Sequence, residues 1–433
     1  MHFLYSALLA AAMLVGLPYW LWQMLRHGKY RTGLGERFGK VPKRLRVRPG
    51  ESCIWVHAVS VGEVLAVNGL VEELRRQFPQ HRVVVSTTTD TGQKLARSRF
   101  GEENVFYFPL DFGFAIRPYL QALKPSLVVL AETEFWPNFL RLARRSGARV
   151  AVVNARISDR SWAGYRRWRR FLPGILANVD LFLAQGTEDQ RRLAGIGALP
   201  QRVRVAGNLK YDAPAPQPVA IVGSLRTAFQ QNEAGPILVC GSTVEDEEPL
   251  LLRAFENVLA SHPRAVMILA PRHPERFGAV ARLLEQLNTR FWRRSLWNGD
   301  AISGGVLLLD TIGELAAVYA LADVAFVGGS LVPRGGHNIL EPAQHGVAIM
   351  VGNHTENFRD IVGLFQSRDA LRVAGPAELP LLFMELLENE AERVALGQRA
   401  TETLRAQQGG TARTLEALRG LLQTDSAAVN AGC

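Results

Sequence analysis

The sequence predicts an α/β protein of two doubly wound, Rossmann-like parallel-sheet domains behind a hydrophobic N-terminal segment. Three observations carry this. Short apolar runs alternate with helix-period segments along nearly the whole chain. The alternation breaks once, at 212–218 (DAPAPQP), where proline blocks regular structure, and then restarts. At 433 residues, 48% of them hydrophobic, the chain exceeds one ordinary domain and can fill two cores.

The first element is apolar. Residues 3–22 carry no charge, and about 20 such residues span a bilayer. Tyr19, Trp20 and Trp22 close the run like an interfacial belt. Arg26, Lys29 and Arg31 follow, which places the bulk of the protein in the cytoplasm. A cleaved signal peptide competes with this reading, but only Met1 and His2 precede the run, so a charged n-region is missing. Residues 1–25 are therefore expected to be a signal anchor in a membrane, crossing it or, given Pro18, inserted shallowly. From Arg26 to Arg48, nine Lys/Arg accompany one acid, Glu36. The segment 26–50 suits an anionic lipid surface, or else is a solvated linker.

The first α/β domain is expected over 51–212. Its strands are the β-branched and apolar runs at 53–59, 82–86, 104–108, 127–131, 149–153 and 181–184, too short for helices. Amphipathic segments between them give helices at 63–78, 91–99, 114–123, 137–146 (Pro137 at its first turn), 162–178 and 188–195. A linker takes 213–235. The second domain, 236–425, repeats the pattern. Strands lie at 237–240, 265–270, 306–309, 324–327 and 349–351, with helices at 247–261, 276–286, 314–322, 378–388 and 390–422. Strands this apolar belong to parallel sheets covered on both faces. Ligands of such sheets bind beyond the carboxyl ends of the strands.

The formal charge of +10 points to anionic partners. It lies in the N-terminal half: from Arg141 to Arg170 there are ten Arg and one acid, interleaved with Trp162, Tyr165 and Trp168. No nucleic-acid motif accompanies them, so an anionic membrane or a phosphorylated lipid fits better than nucleic acid. The three cysteines, without a CxxC pair, make neither a disulfide framework nor a zinc knuckle.

Polar residues just after strands are the site candidates. In HAVSVGE, Ser60 and Glu63 have capping-box spacing, and Glu63 is equally a general base with Gly62 leaving room for substrate. In AETEFWPN, Glu132 and Glu134 suit a carbohydrate's hydroxyls and the aromatics its faces; helix-start chemistry is the other reading. Asn154 and Arg156 follow the fifth strand, and Lys210, in GNLKYD, is either a ligand contact or a solvated lysine. In the second half, Ser242, Pro271, Arg272 and His273 follow strands, and Arg272 is a phosphate fork. The stretch VAFVGGSLVPRGGHNILEPAQHG joins glycines to Asn338 as a helix cap, with Glu341 one turn in. It is either a loop for a phosphorylated sugar or nucleotide, or a plain capped loop. His337, Glu341 and His345 sit at four-residue spacing, but Gly335, Gly336 and Pro342 favour a loop-to-helix junction over a metal site, and none is expected.

Taken together, SVGE at 60–63, ETEFWPN at 132–138, NAR at 154–156, GNLKYD at 207–212, PRHPERF at 271–277 and GGHNILEPA at 335–343 resemble the 3-deoxy-D-manno-octulosonic acid (Kdo) transferases of lipopolysaccharide synthesis. The resemblance implies a GT-B glycosyltransferase on the cytoplasmic face of the inner membrane. It would move Kdo from CMP-Kdo to a tetraacylated, phosphorylated lipid A precursor, with inversion and no cofactor. It also implies Glu63 as general base and an acceptor side of Ser60, Gly62, Glu132, Glu134, Asn154, Arg156 and Lys210. The CMP side would be Ser242, Pro271, Arg272, His273, Gly335, Gly336, His337, Asn338 and Glu341. A membrane-anchored transferase of the same fold using a UDP-sugar is the alternative.

Overall fold

Runs of buried aliphatic residues decide the first sheet. In SCIWVH every residue after Ser52 is buried. The computed structural model describes residues 2–27, 32–47, 51–213 and 219–430. Its first sheet comprises β1 (Ser52–His57), β2 (His81–Thr87), β3 (Val105–Tyr107), β4 (Pro125–Ala131), β5 (Arg149–Ala155), β6 (Leu181–Ala184) and β7 (Val203–Val205). They are all parallel, in the order β3-β2-β1-β4-β5-β6-β7. Alternate side chains go to opposite faces. Trp55 joins Phe106, Tyr119 and Phe139 on one; Ile54 and Val56 meet Val64, Leu70 and Leu74 of the helix Val61–Gln77 on the other. Each such side chain contributes about 1.5–3 kcal/mol on full burial. With both faces apolar, hydrophobicity alone does not fix register. A specific tie helps: Trp55 Nε1 donates to Ser86 Oγ at 2.7 Å.

The second sheet comprises β8 (Ile237–Thr243), β9 (Val266–Pro271), β10 (Phe291–Arg293), β11 (Gly305–Leu308), β12 (Val324–Val327), β13 (Ala348–Val351) and β14 (Arg372–Val373). The order is β10-β11-β9-β8-β12-β13-β14, again parallel. Each sheet reverses its winding once, between β1 and β4 in the first and between β8 and β12 in the second. Crevices open at the carboxyl ends of strands at such points.

The chain divides into two compact units, Met1–Pro214 with Gln407–Cys433, and Ala215–Ala406. The second unit thus stops short of 425. A continuous helix expected over 390–422 is two, Glu390–Gln407 and Gly410–Asn430. They break at Gly409, whose φ of 92° suits glycine. Asp212 Oδ1 accepts the Gly409 N–H at 2.7 Å and Oδ2 that of Thr411, so it caps the last helix. Leu415, Leu418 and Leu422 then complete the first unit's core. The helix expected over 162–178 also divides, into Asp159–Trp168 and Leu172–Leu176, with Pro173 in the second's first turn. Of the linker, 214–218 lie outside the described residues; the rest is largely the helix Ala220–Gln231.

The N-terminal segment is the main correction. It forms the helix His2–His27, yet among the described residues no helix is long and apolar enough to cross a membrane. A spanning anchor is therefore not supported. The start of the helix is instead tied to the folded unit: Asn138 Nδ2 donates to Ser6 Oγ at 3.0 Å, and Tyr5 hydrogen-bonds Asp111. The basic stretch after it is no free linker either, although 28–31 and 48–50 lie outside the described residues. Arg44 pairs with Glu36 at 3.2 Å, and the Arg37 guanidinium sits 4.5 Å from the Tyr107 ring centroid.

One glycine tests the packing of the second unit. Gly397 is buried inside the helix Glu390–Gln407, where intrinsic propensity favours Ala by about 1 kcal/mol. A Cβ there would overlap the backbone oxygen of Gly346, which cannot rotate away. Gly397→Ala should therefore lower stability by about 1–3 kcal/mol. Urea unfolding checks this, and an unchanged or higher midpoint contradicts it.

Candidate active site

In the first unit, Glu63 stands at the start of the helix Val61–Gln77, directly after β1. The capping-box geometry is not made. Ser60 occupies the N-cap position without a side-chain cap bond. Its hydroxyl instead donates to Glu63 Oε1 at 2.9 Å, and the Val59 N–H donates to Oε2 at 2.8 Å. Both bonds aim the carboxylate, and each oxygen keeps a lone pair. Burial pushes the Glu63 carboxyl up to about 7; the Val59 N–H opposes this, and the charges of Glu132 and Glu134 add to it. A carboxylate poised there at neutral pH is suited to accepting a proton. Gly62 is exposed, and a Cβ on it would meet nothing closer than Ser60 Oγ at 3.9 Å, which leaves open space before Glu63.

Glu132 follows β4 with a left-handed φ of 55°, and its N–H donates to Val153 O at 2.9 Å. Asn154, where β5 slips register, has φ 53°. Left-handed non-glycine residues cost about 1–3 kcal/mol and gather at functional sites. Asn154 Oδ1 accepts the Leu209 N–H at 3.0 Å, which fixes the turn carrying Lys210. Lys210 Nζ lies 3.9 Å from Glu132 Oε1, so it is not merely a solvated lysine. Burial raises the Glu134 carboxyl, and Glu132's charge adds to this. Arg156 follows β5, and its carbonyl accepts from Thr133 Oγ1 at 3.1 Å. The rest of ETEFWPN is structural. Phe135 and Trp136 pack on the core. Asp111 Oδ2 and Oδ1 accept the Asn138 and Phe139 N–H groups at 3.1 and 2.7 Å, capping the helix Pro137–Arg145.

In the second unit the glycine-rich loop after β12 holds an anion, but the protein's own. Glu247 is fully buried. Its Oε2 accepts the Gly329 and Val244 N–H groups at 2.7 and 3.1 Å; its Oε1 accepts those of Ser330 and Leu331, each at 2.8 Å. A Cβ on Gly328 would come within 2.7 Å of Ser242 O and 2.9 Å of Glu247 Oε2. The glycine thus admits the carboxylate, not a ligand. Sequence reasoning missed Glu247: nothing in VEDEEP singles it out until β8 and β12 are known to be neighbours.

The expected donor residues surround this core. Ser242 lies at the bulge where β8 slips against β9, with φ 56°, and bulges re-aim side chains beside sites. Pro271 ends β9; Arg272 and His273 follow it, both exposed. Gly335 and Gly336 are both left-handed, at φ 89° and 73°. They bring His337 over Gly329, where its Nε2 is buried without a partner. Burial lowers the His337 imidazole to about 4, and the charges of Arg272 and His273 act the same way, so it is neutral at pH 7. Burial raises the Glu341 carboxyl, while Asn338 Nδ2, 3.2 Å from Oε1, and Arg272 oppose this. Asn338 Oδ1 accepts the Leu340 N–H at 3.1 Å. The helix that follows, Leu340–Gln344, has Ile339 and not the expected Asn338 at its N-cap and only five residues, so the expected helix-start anion site lacks a helix long enough to make it. His345 Nε2 lies 2.8 Å from Ala316 O.

Comparison with known proteins shows the family. A family model described as 3-deoxy-D-manno-octulosonic-acid transferase (kdotransferase) matches residues 32–213. A 3-deoxy-D-manno-octulosonic acid transferase from Haemophilus influenzae is 33% identical over 426 residues, covering 98% of this chain and 99% of its own. One from Bordetella pertussis is 35% identical over 428 residues, 93% of this chain and 95% of its own. Among solved structures, UDP-GlcNAc 2-epimerase from Neisseria meningitidis bound to UDP-GlcNAc aligns with a TM-score of 0.55 at 11% identity. It covers 86% of this chain and 100% of that one, a likeness of fold alone.

The Glu247 cradle gives a stability test. Gln in its place keeps one oxygen and turns an amide N–H₂ toward buried N–H donors. Leaving a buried donor unsatisfied costs about 1–3 kcal/mol. Glu247→Gln should lower the urea midpoint by an amount equivalent to about 2–4 kcal/mol; wild-type stability would contradict the cradle's role.

Proposed function

The chain belongs to the 3-deoxy-D-manno-octulosonic acid (Kdo) transferase family, and we propose on that premise that it moves Kdo from CMP-Kdo to a lipid A precursor. The observation that carries the mechanism is the buried Glu63 carboxylate, aimed by Val59 and Ser60. An acceptor hydroxyl gives its proton to Glu63 as its oxygen bonds to the anomeric carbon. The bond from that carbon to the CMP phosphate breaks from the opposite face, so configuration inverts. The transition state has oxocarbenium character, as in glycoside hydrolysis. Ser60, Gly62, Glu132, Glu134, Asn154, Arg156 and Lys210 form the acceptor side.

CMP is the second unit's ligand in this reading. The backbone N–H groups of Gly329, Ser330 and Leu331 are taken by Glu247, so side chains meet the phosphate. Arg272, exposed after β9, supplies positive charge to it, with exposed His273 beside it. Ser242, Pro271, Gly335, Gly336 and neutral His337 shape the site. Asn338 and Glu341 take the ribose hydroxyls.

We place the protein on the cytoplasmic face of the inner membrane. Leu8, Val15, Tyr19 and Trp22 are exposed, and their spacing puts them on one side of the helix His2–His27. A helix tied to the folded unit at Ser6 lies in the interface rather than across it. Arg166, Arg167 and Arg169, with exposed Trp168 and Phe171, add a basic aromatic surface for anionic lipid.

With its folded pKa near 7, Glu63 is protonated below that pH and cannot accept a proton. kcat/KM should therefore rise with pH to a plateau above about 7. Glu63→Gln should fold and lose at least about 100-fold in kcat; full turnover would remove Glu63 as base. Leu8→Asp with Val15→Asp should release the protein from anionic vesicles in a flotation assay without unfolding it. Undiminished flotation would contradict the interfacial helix.

A further inference from the structure

The amino edge of the first sheet lies opposite Glu63, and basic side chains gather there around a cavity. The segment 39–47 crosses the helix Gly113–Leu123 and is fastened to it at both ends. A Cβ on Gly39, whose φ is 93°, would come within 2.8 Å of the Ala115 backbone, and the Val47 N–H donates to Ala122 O at 3.2 Å. Between these ties Leu45 is wholly buried. Arg44 is drawn inward as well: it pairs with Glu36 at 3.2 Å and donates to Glu102 O at 3.1 Å and Val105 O at 3.0 Å. Lys40, Lys43 and Arg46 stay exposed.

With Lys124, these three line a cavity of about 830 Å³ that has Val41, Val47 and Pro118 on its apolar wall and Glu51 as its acid. An adjoining cavity of about 660 Å³ shares Gln121 and Lys124 and adds Arg117 and Arg145. Among the described residues, no ion pair engages any of these six cations, whereas Arg44, Arg144 and Arg149 in the same unit are paired with Glu36 and Asp180. Like charges gathered around one space repel unless an anion lies among them. The space is concave and of the size that holds a small molecule. Glu51 precedes β1, Lys124 precedes β4 and Gly147 precedes β5, so in a parallel sheet they share the amino edge. β4 has seven residues, and a rise of about 3.3 Å per residue sets the two edges about 20 Å apart. The cavity is therefore no extension of the acceptor side.

We propose that this cavity is a separate binding site for a phosphate-bearing ligand. Lysine and arginine donate charge-assisted hydrogen bonds to phosphate, and the apolar wall covers the part of the ligand that carries it. The site does not depend on the identity of the transferred sugar or on Glu63 as base.

Calorimetric titration of the full-length protein with inorganic pyrophosphate tests the site, with excess CMP present to fill the proposed donor side. The wild type should bind, and more weakly as salt rises. Lys43→Glu with Lys124→Glu should weaken binding at least about tenfold, since losing one hydrogen bond to a charged group already costs about that factor. Lys43→Gln with Lys124→Gln, which removes the cations without reversing charge, should weaken it less. Arg226→Glu with Arg253→Glu makes the same change in net charge at exposed positions of the second unit and should leave binding unchanged. Flotation on phosphatidylglycerol vesicles separates two sources of the phosphate. Pyrophosphate binding lost in Lys43→Glu with Lys124→Glu while flotation persists assigns a soluble ligand; flotation lost in that variant assigns a lipid headgroup. Absence of pyrophosphate binding together with flotation that the variant leaves intact overturns the proposal. Equal weakening by Arg226→Glu with Arg253→Glu overturns it too, because net charge alone then accounts for the binding.

Discussion

The carboxylate of Glu247, set among the N–H groups of Val244, Gly329, Ser330 and Leu331, fixes the carboxyl edge of the second sheet. It joins the loop after β8 to the loop after β12, across the point where the winding reverses. A buried charge is tolerated only when its hydrogen bonds are met, so the loop between Gly328 and Leu331 has little freedom. Next to it, Glu248 holds Arg276 at 2.8 Å and Thr243 at 3.2 Å. On this frame hang Ser242, Arg272 and His337. A loop that looks built for phosphate is filled from within by this carboxylate.

The first unit uses the same device differently. Asp111 and Asp212 are spent on helix starts. Glu63 also accepts a backbone N–H, but only one, with a hydroxyl on its other oxygen. Glu132 and Glu134 lie near it where Glu247 has only donors. Its surroundings leave Glu63 able to exchange a proton near neutral pH.

Much of the fold was legible because parallel strands covered on both faces are continuous apolar runs. Ile237–Thr243 and Val324–Val327 are buried throughout. What escaped was short, peripheral or tertiary. β7, β10 and β14 are edge strands of only two or three residues, exposed or half-buried apart from Val203, too short to give a periodic signal. The capping of the last helix by Asp212 joins residues far apart in sequence. For the site, strand ends pointed to Glu63, Glu132, Asn154, Arg272 and Glu341, because parallel strands deliver their ends to one edge. The glycines after β12 misled: they admit Glu247, which no local pattern reveals. The apolar start of the chain misled as well, since length and hydropathy do not register the polar ties of Tyr5 and Ser6.

The proposed reaction is a transfer of Kdo from CMP-Kdo to a phosphorylated, acylated acceptor lipid. Mass spectrometry of the lipid after incubation of the purified full-length protein with both substrates in detergent tests it most directly. The expected product is an acceptor carrying added Kdo, formed with CMP-Kdo and absent when a UDP-sugar replaces it. An unmodified acceptor from well-folded protein, or a product that appears only with the UDP-sugar, would contradict it.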